Sequence, residues 1–229
     1  MDNRTVFVII PCYNEEVDVV RHTVEPLLAD GYTVVLVDDG SRRDLFPPLS
    51  DLPLVYLRHA VNLGQGAALQ TGMEYAKRQG ATGVVHFDAD GQHAAHELAA
   101  LLEPLRRGVA DVVLGSRFLR AEDERQIPGL RRWVLRGART VNGLFTGMWL
   151  TDAHNGLRAL NRPALEAIYL SENRQAHATE ILYQIRRNRL RTLEVPASVV
   201  YTAYSKAKGQ SSMNAFSVFV DLVLNKLFR

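Results

Sequence analysis

Two short apolar runs in this chain stop on paired acids. Val34-Val35-Leu36-Val37 leads into Asp38-Asp39-Gly40-Ser41, and Val84-Val85-His86-Phe87 leads into Asp88-Ala89-Asp90-Gly91-Gln92-His93. A short continuous apolar run bounded by turn residues reads as a strand buried on both faces. Carboxylates do not follow a strand into the core, so each run ends at a sheet edge, where open α/β sheets hold their ligands. Side chains two apart on extended chain share a face, which lets Asp88 and Asp90 point at one divalent cation. An isolated Asp-x-Asp also reads as a solvated acidic turn. The second acidic strand end, of the same layout, favours a metal and nucleotide site.

The first half alternates strand and helix signals. Strands are predicted over Val6–Ile10, Thr33–Val37, Leu54–Leu57, Gly83–Phe87 and Asp111–Leu114, and helices over about Glu15–Ala29, Gln65–Arg78 and His96–Arg107. This alternation predicts an α/β fold with a mostly parallel sheet covered by helices on both faces. The proline-rich segment Arg42–Pro53 reads as a connector within one unit. At 229 residues, 47% hydrophobic and 23% charged, the chain suffices for one well-buried domain or two very small ones. A net charge of +2 gives no general pull towards nucleic acid, and the single Cys12 forms no internal disulfide, which suits a reducing compartment. No stretch offers the roughly 20 apolar residues of a membrane span, and Met1-Asp2-Asn3-Arg4 runs straight into a strand. The expectation is a cytoplasmic chain, soluble or peripheral to a membrane.

Beyond Ser116 the character changes. Arg117, Arg120, Arg125, Arg131, Arg132, Arg136 and Arg139 are mixed with Trp133, Leu135, Phe145 and Trp149. Such a run is either a solvated helix face or a surface for phosphates or lipid headgroups. A strand over Thr192–Pro196 precedes the polar segment Tyr201–Ser212, which reads as a loop able to close over an anion. In 213–229 the polar residues Ser217, Asp221 and Asn225 form one narrow stripe among Phe216, Phe219, Leu222, Leu224, Leu227 and Phe228. Too short to span a bilayer, this segment reads as an interfacial helix, a dock for a small membrane partner protein, or a homodimer contact. The division expected is a domain over 1–212 and this apolar helix over 213–229.

In order and spacing, several segments together resemble the family-2 glycosyltransferases, inverting enzymes with the GT-A nucleotide-sugar fold. They are Ile10-Pro11-Cys12-Tyr13-Asn14-Glu15-Glu16, Val37–Ser41, Asn62-Leu63-Gly64-Gln65-Gly66, Asp88–His93, Gly115-Ser116-Arg117, Asp152–Arg158 and Glu194-Val195-Pro196. The likeness is greatest to the polyprenyl-phosphate sugar synthases and their relatives in bacterial surface-polysaccharide assembly. It implies a nucleotide-sugar donor, a polyprenyl phosphate or lipid-linked glycan as acceptor, and no nucleic acid.

The resemblance also distributes roles. Pro11, Tyr13, Glu15 and Asp39, with Asp88 and Ala89, correspond to the donor pocket; Pro11 and Glu15 also read as a strand terminator and a first-turn helix acid. Asp88 and Asp90, with Gln92, correspond to the metal position, and all-oxygen ligation selects Mg²⁺ or Mn²⁺ over zinc. Arg117, Arg158, Lys206 and Lys208 correspond to phosphate contacts. The alternative for each arginine is a salt bridge to a neighbouring carboxylate; for the lysines it is plain solubility.

The resemblance implies that Asp90 acts in catalysis through the metal. A sugar-hydroxyl acceptor requires in addition a carboxylate base, for which Asp152 and Glu180 are the candidates. A phosphate acceptor requires none. His86, His93 and His96 flank the acids and invite a zinc reading. Against that, His86 within a strand reads as a satisfied core residue and His93 as a wall of the donor site.

Two other classes compete. Gly64-Gln65-Gly66 follows a strand and opens a helix, with Asp88 at 22 residues beyond Gly66, which suits an NAD-dependent Rossmann-type oxidoreductase. Leu69 in place of the third small residue, and the paired nature of the acid, weigh against it. The other is a non-catalytic nucleotide-sugar-binding module, against which the joint presence of Asp39, Asp88, Asp90 and Arg117 argues.

Overall fold

The run Val6–Cys12 forms the strand β1, and a computed structural model builds the rest of the fold around it. The structure describes residues 1–120, 122, 143, 147–152, 155–174 and 176–199. Lys206, Lys208, the arginines of 125–139 and the apolar segment 213–229 lie outside the described residues.

In chain order, β1 is followed by α1 (Val17–Ala29), β2 (Thr33–Asp38), α2 (Phe46–Leu49), β3 (Val55–Arg58), α3 (Gln65–Arg78), β4 (Gly83–His86), α4 (Glu97–Arg106) and β5 (Val112–Ser116). Then come β6 (Arg158–Asn161), α5 (Arg162–Ala167), α6 (His177–Arg187) and β7 (Thr192–Pro196). They make one seven-stranded sheet in the order β3-β2-β1-β4-β6-β5-β7. All neighbours run parallel except β6, which is antiparallel to both β4 and β5. The predicted mostly parallel sheet is therefore observed, and β6 is the strand that sequence reading lacked. Arg158-Ala159-Leu160-Asn161 offers only two apolar residues between polar ends, too little for a periodicity signal.

Alternation along β1 divides the core. Val6, Val8 and Ile10 face α1 and α4, packing with Val20, Val24, Leu27, Leu98, Leu101 and Leu102. Phe7 and Ile9 face the opposite side, where Leu69, Met73, Leu165, Ile181 and Ile185 cover the sheet. Helix α3 lies close against β1: a Cβ on Gly72 would overlap the Ile9 side chain. The connector Arg42–Pro53 contains α2, anchored by the buried Leu45 and Leu49. The register His86↔Arg158 is what brings β6 to the functional edge, setting Arg158 beside the strand that ends in Asp88.

Candidate active site

Strands β1, β2 and β4 end at one edge, and hydrogen bonds tie their loops together. Asn14 takes a left-handed backbone (φ 52°), which its short polar side chain tolerates; its Oδ1 accepts from Arg42 N at 2.9 Å. The Asn14 N–H donates to Ser41 Oγ at 2.9 Å. Pro11 and Glu15 are partly buried along this edge, and Tyr13 is exposed. Asp38 is fully buried, accepting from Ser41 N at 2.8 Å and Tyr56 Oη at 2.7 Å.

Asp39, the expected donor contact, also serves the scaffold. Its Oδ1 accepts from Leu63 N at 2.9 Å and its Oδ2 from Gly64 N at 2.7 Å, while His59 Nδ1 lies 2.8 Å from Oδ1. One residue on, Gln65 Nε2 donates to Asp88 Oδ1 at 3.1 Å. The segment Leu63-Gly64-Gln65 therefore bridges the two acidic strand ends. His59 and Gln65 are site residues that sequence reasoning passed over, although Gln65 stood inside a recognised motif.

Asp88 and Asp90 do lie together. Burial, then repulsion from Asp88, pushes the Asp90 carboxyl up to about 6, with Glu15 adding to the repulsion. Gln92 contributes its backbone N–H to Asp90 Oδ1 at 3.1 Å. The buried Ala89 sits between the two acids. Gly156 lies under Asp88, where any Cβ would overlap the carboxylate. His93 is buried with Nε2 at 3.9 Å from Asp88 Oδ2, beside the acids as expected. Among the described residues no group of three or more His, Cys, Asp or Glu side chains is arranged to hold a metal ion. The two carboxylates offer only oxygens to this edge.

Arg158 is 3% exposed, and its side chain forms no hydrogen bond or ion pair among the described residues. Desolvation lowers its guanidinium to about 10, against the attraction of Asp88 and Asp152. It stands next to two imidazoles that burial holds neutral, His86 at about 3 and His177 at about 4. His86 is buried as predicted, but it is not satisfied: neither ring nitrogen has a hydrogen-bond partner. The reason is the neighbourhood, since a β4 side chain on this face meets Arg158 across the ladder instead of a polar acceptor.

Arg117 and Asp152, expected as a phosphate ligand and a base, are each other's partners. The guanidinium donates from Nε to Oδ2 at 2.5 Å and from Nη2 to Oδ1 at 2.7 Å, and both residues are buried. The salt-bridge alternative is thus the geometry observed for Arg117. Glu194 braces the same segment, accepting from Thr151 Oγ1 at 2.7 Å and Asp152 N at 3.1 Å. Glu180, in the first turn of α6, accepts from Ser171 N at 3.0 Å, Ser171 Oγ at 2.5 Å and Glu172 N at 2.9 Å. It holds the 171–173 loop.

That loop decides the dinucleotide question. Gly66 N and Ala67 N, the donors a pyrophosphate would need at the start of α3, both donate to Asn173 O, at 2.8 and 3.2 Å. A Cβ on Gly66 would overlap the Glu172 carbonyl. The protein's own backbone fills the place, and the Rossmann-type reading is set aside.

A mixed sheet of this order, with paired carboxylates at the ends of its central strands, defines a GT-A glycosyltransferase. The chain belongs to glycosyl transferase family 2, whose model matches residues 7–169. It is 30% identical over 247 residues to the UDP-N-acetylglucosamine–dolichyl-phosphate N-acetylglucosaminyltransferase of Methanococcus voltae, covering 99% of this chain and 98% of that protein. It is 33% identical over 176 residues to the polyprenol monophosphomannose synthase of Mycolicibacterium smegmatis, covering 72% of this chain and 64% of that one. In fold it is similar to glucosyl-3-phosphoglycerate synthase from Mycobacterium tuberculosis, solved with Mn²⁺, UDP and glucosyl-3-phosphoglycerate. The TM-score is 0.69 at 18% identity, over 96% of this chain and 78% of that one.

Proposed function

We propose that this chain transfers a sugar, with inversion at the anomeric carbon, from a nucleotide-diphosphate donor to a polyprenyl phosphate at the cytoplasmic membrane face. The observation that carries the reading is the pair Asp88 and Asp90, where a partly buried carboxyl already resists ionisation beside a second one. Such a pair gains by taking up a cation. Mg²⁺ or Mn²⁺ held by Asp88 and Asp90, with Gln92 near, would supply charge neutralisation on the leaving diphosphate. The M. tuberculosis synthase, solved with Mn²⁺ and UDP, supports such a donor.

The chain's own residues supply the rest. Pro11, Tyr13, Glu15, Asp39 and Ala89 shape the donor edge, with Asp39 fixing the loop that carries Gln65 to Asp88. Arg158, buried and without an ion pair, offers a desolvated cation for a phosphate, and the buried Asn155 Nδ2, also without a partner, offers a further donor. An oxygen of the acceptor phosphate attacks the anomeric carbon as the bond to the diphosphate breaks, and the nucleoside diphosphate departs. No proton needs removing, because the attacking oxygen is already ionised.

The acceptor follows from where the candidate bases are spent. Asp152 is paired to Arg117, and Glu180 binds the 171–173 loop, so both carboxylates have structural work. The two curated relatives, named for dolichyl phosphate and polyprenol acceptors, agree with a lipid phosphate. We assign Lys206 and Lys208 to the same phosphate, as the resemblance implies.

A panel of UDP-, GDP- and dTDP-sugars with polyprenyl phosphate and Mn²⁺ tests the reading. Asp90→Asn is expected to lower turnover a hundredfold or more, on the order of 3 kcal/mol of transition-state stabilisation. Undiminished activity of that variant in EDTA would overturn the metal role. Glu180→Gln and Asp152→Asn should retain turnover in proportion to the folded fraction. A collapse of either at unchanged melting temperature points instead to a sugar-hydroxyl acceptor. Donor binding without hydrolysis or transfer would leave a binding module.

A further inference from the structure

A chain of hydrogen bonds joins the two acidic strand ends, and it begins at a histidine to which the transfer chemistry gives no role. His59 follows β3 and has a side chain only 11% exposed. Its Nδ1 lies 2.8 Å from Asp39 Oδ1 and its Nε2 2.9 Å from Thr71 Oγ1. A carboxylate offers only lone pairs, so Nδ1 carries the proton and donates to Asp39. Thr71 belongs to α3, so one imidazole clamps that helix to the end of β2. The backbone of His59 is held as well, its N–H donating to Asp38 O at 2.8 Å.

Asp39 passes the constraint on. It accepts from Leu63 N and Gly64 N on the approach to α3, while Gly66 N and Ala67 N donate to Asn173 O on the other side. Gln65 is thus pinned between two anchored pairs of amides, and its side chain reaches Asp88 Oδ1 at 3.1 Å from a fixed origin. On the other oxygen of that carboxylate, His93 Nε2 stands 3.9 Å from Oδ2. Asp88 has more freedom to lose than Asp90. Its side chain is 31% exposed, whereas Asp90 is more deeply set and accepts from the Gln92 N–H.

We propose that His59 and Gln65 are positioning residues for a divalent cation: His59 fixes Asp39, Asp39 sets the 63–65 segment, and Gln65 orients the Asp88 carboxylate. The inference rests on the reading that Asp88 and Asp90 hold Mg²⁺ or Mn²⁺. A hydrogen bond to one carboxylate oxygen stops the group from turning and leaves its remaining lone pairs for a cation. The chemistry of the donor matters too. A lysine or arginine in place of Gln65 would hold the carboxylate but repel the ion, and an amide holds it without charge.

The test titrates Mn²⁺ into the full chain in the presence of UDP, GDP or dTDP, with the bound ion read by electron paramagnetic resonance. The variants are His59→Leu, Gln65→Leu, the two combined, and His59→Gln, whose amide can donate to Asp39 and accept from Thr71. Should His59→Leu fail to fold, Thr71→Val removes the same clamp at constant shape. Each single leucine variant should weaken Mn²⁺ binding by about tenfold or more, the usual effect of losing a residue that orients a ligand. The double variant should be no weaker than the worse single one, because both changes break the same chain of contacts. His59→Gln should recover most of the affinity. Excess Mn²⁺ should restore turnover in Gln65→Leu, which damage to the fold would not allow. Unchanged Mn²⁺ affinity in Gln65→Leu overturns the proposal, and so do losses that add fully in the double variant. A wild type that takes up no Mn²⁺ with any of the three nucleotides overturns the metal reading itself, and this inference with it. Wild-type uptake with unchanged variants overturns this inference alone.

Discussion

Arg158 shows most plainly how single residues are placed here at a cost to stability. A guanidinium removed from water without an ion pair is among the most expensive groups a core can hold. The attraction of Asp88 and Asp152 only partly offsets its desolvation, which is why its proton affinity is lowered. Replacing it with Met, of similar length and no charge, should leave the melting temperature unchanged or raise it. Under the proposed function, in which this unpaired cation meets a phosphate, sugar transfer should fall a hundredfold or more. Thermal melting and a transfer assay on Arg158→Met check both halves; a drop of several degrees in melting temperature would make the residue structural. The Arg117–Asp152 pair is the opposite case. Asp152→Asn leaves a buried guanidinium half-unpartnered and should cost about 3 kcal/mol or more of stability, read by urea unfolding.

At the scale of elements, helix α3 and the 171–173 loop are fitted to each other by small size. Gly66 has no room for a side chain, with the Glu172 carbonyl on one side and the His177 Cβ within 2.8 Å of an added Cβ on the other. Gly66→Ala must push the loop away from the start of α3, breaking the hydrogen bonds to Asn173 O and loosening the Glu180 contacts. About 1–3 kcal/mol of destabilisation is expected, measurable by urea unfolding. Because α3 also presents Gln65 to Asp88, donor affinity should fall with it, as calorimetry with a nucleoside diphosphate and Mn²⁺ can read. A stable variant with unaltered affinity would mean that the loop has another way to pack.

For the molecule as a whole, the buried imidazoles set the pH dependence. His86 and His177 titrate at about 3 and about 4 in the folded state, against 6.5 ordinarily. As pH falls below 6.5 the unfolded chain takes up their protons first. The stability they lend is whole above that value and is lost progressively down to about 4. His93, also lowered by burial, acts in the same sense; Asp90, raised from 3.8 to about 6, works in the other direction over its own interval, but it is one group against three. The expected balance is a loss on the order of 3 kcal/mol between pH 7 and pH 5. Urea unfolding at the two pH values measures it, and His177→Gln should shrink the difference. Equal stability at both would mean that the rings reach water.

How much of this could be read in advance depends on the range of the forces involved. Helix α3 and strand β7 fall where the sequence puts them, and β1, β2 and β4 within a residue or two, because the apolar period of a segment is a local property. The acidic strand ends were legible for the same reason, since carboxylates stop a buried strand wherever it emerges. Strand β6 was not, for its pairing with β4 and β5 is bought by contacts far along the chain. The partnerships of Arg117 with Asp152, of Glu180 with the 171–173 loop and of Asp39 with Leu63 and Gly64 were equally invisible. A motif shows that a charged side chain is needed at a position, while its partner is whatever the fold brings within about 3 Å. The sequence by itself determined the layered α/β architecture, the edge that carries the chemistry and the acids that mark it. Only the tertiary structure decided which of those charges are paired in holding the edge together and which, like Arg158, are buried without an ion pair, because burial and pairing are properties of neighbours in space.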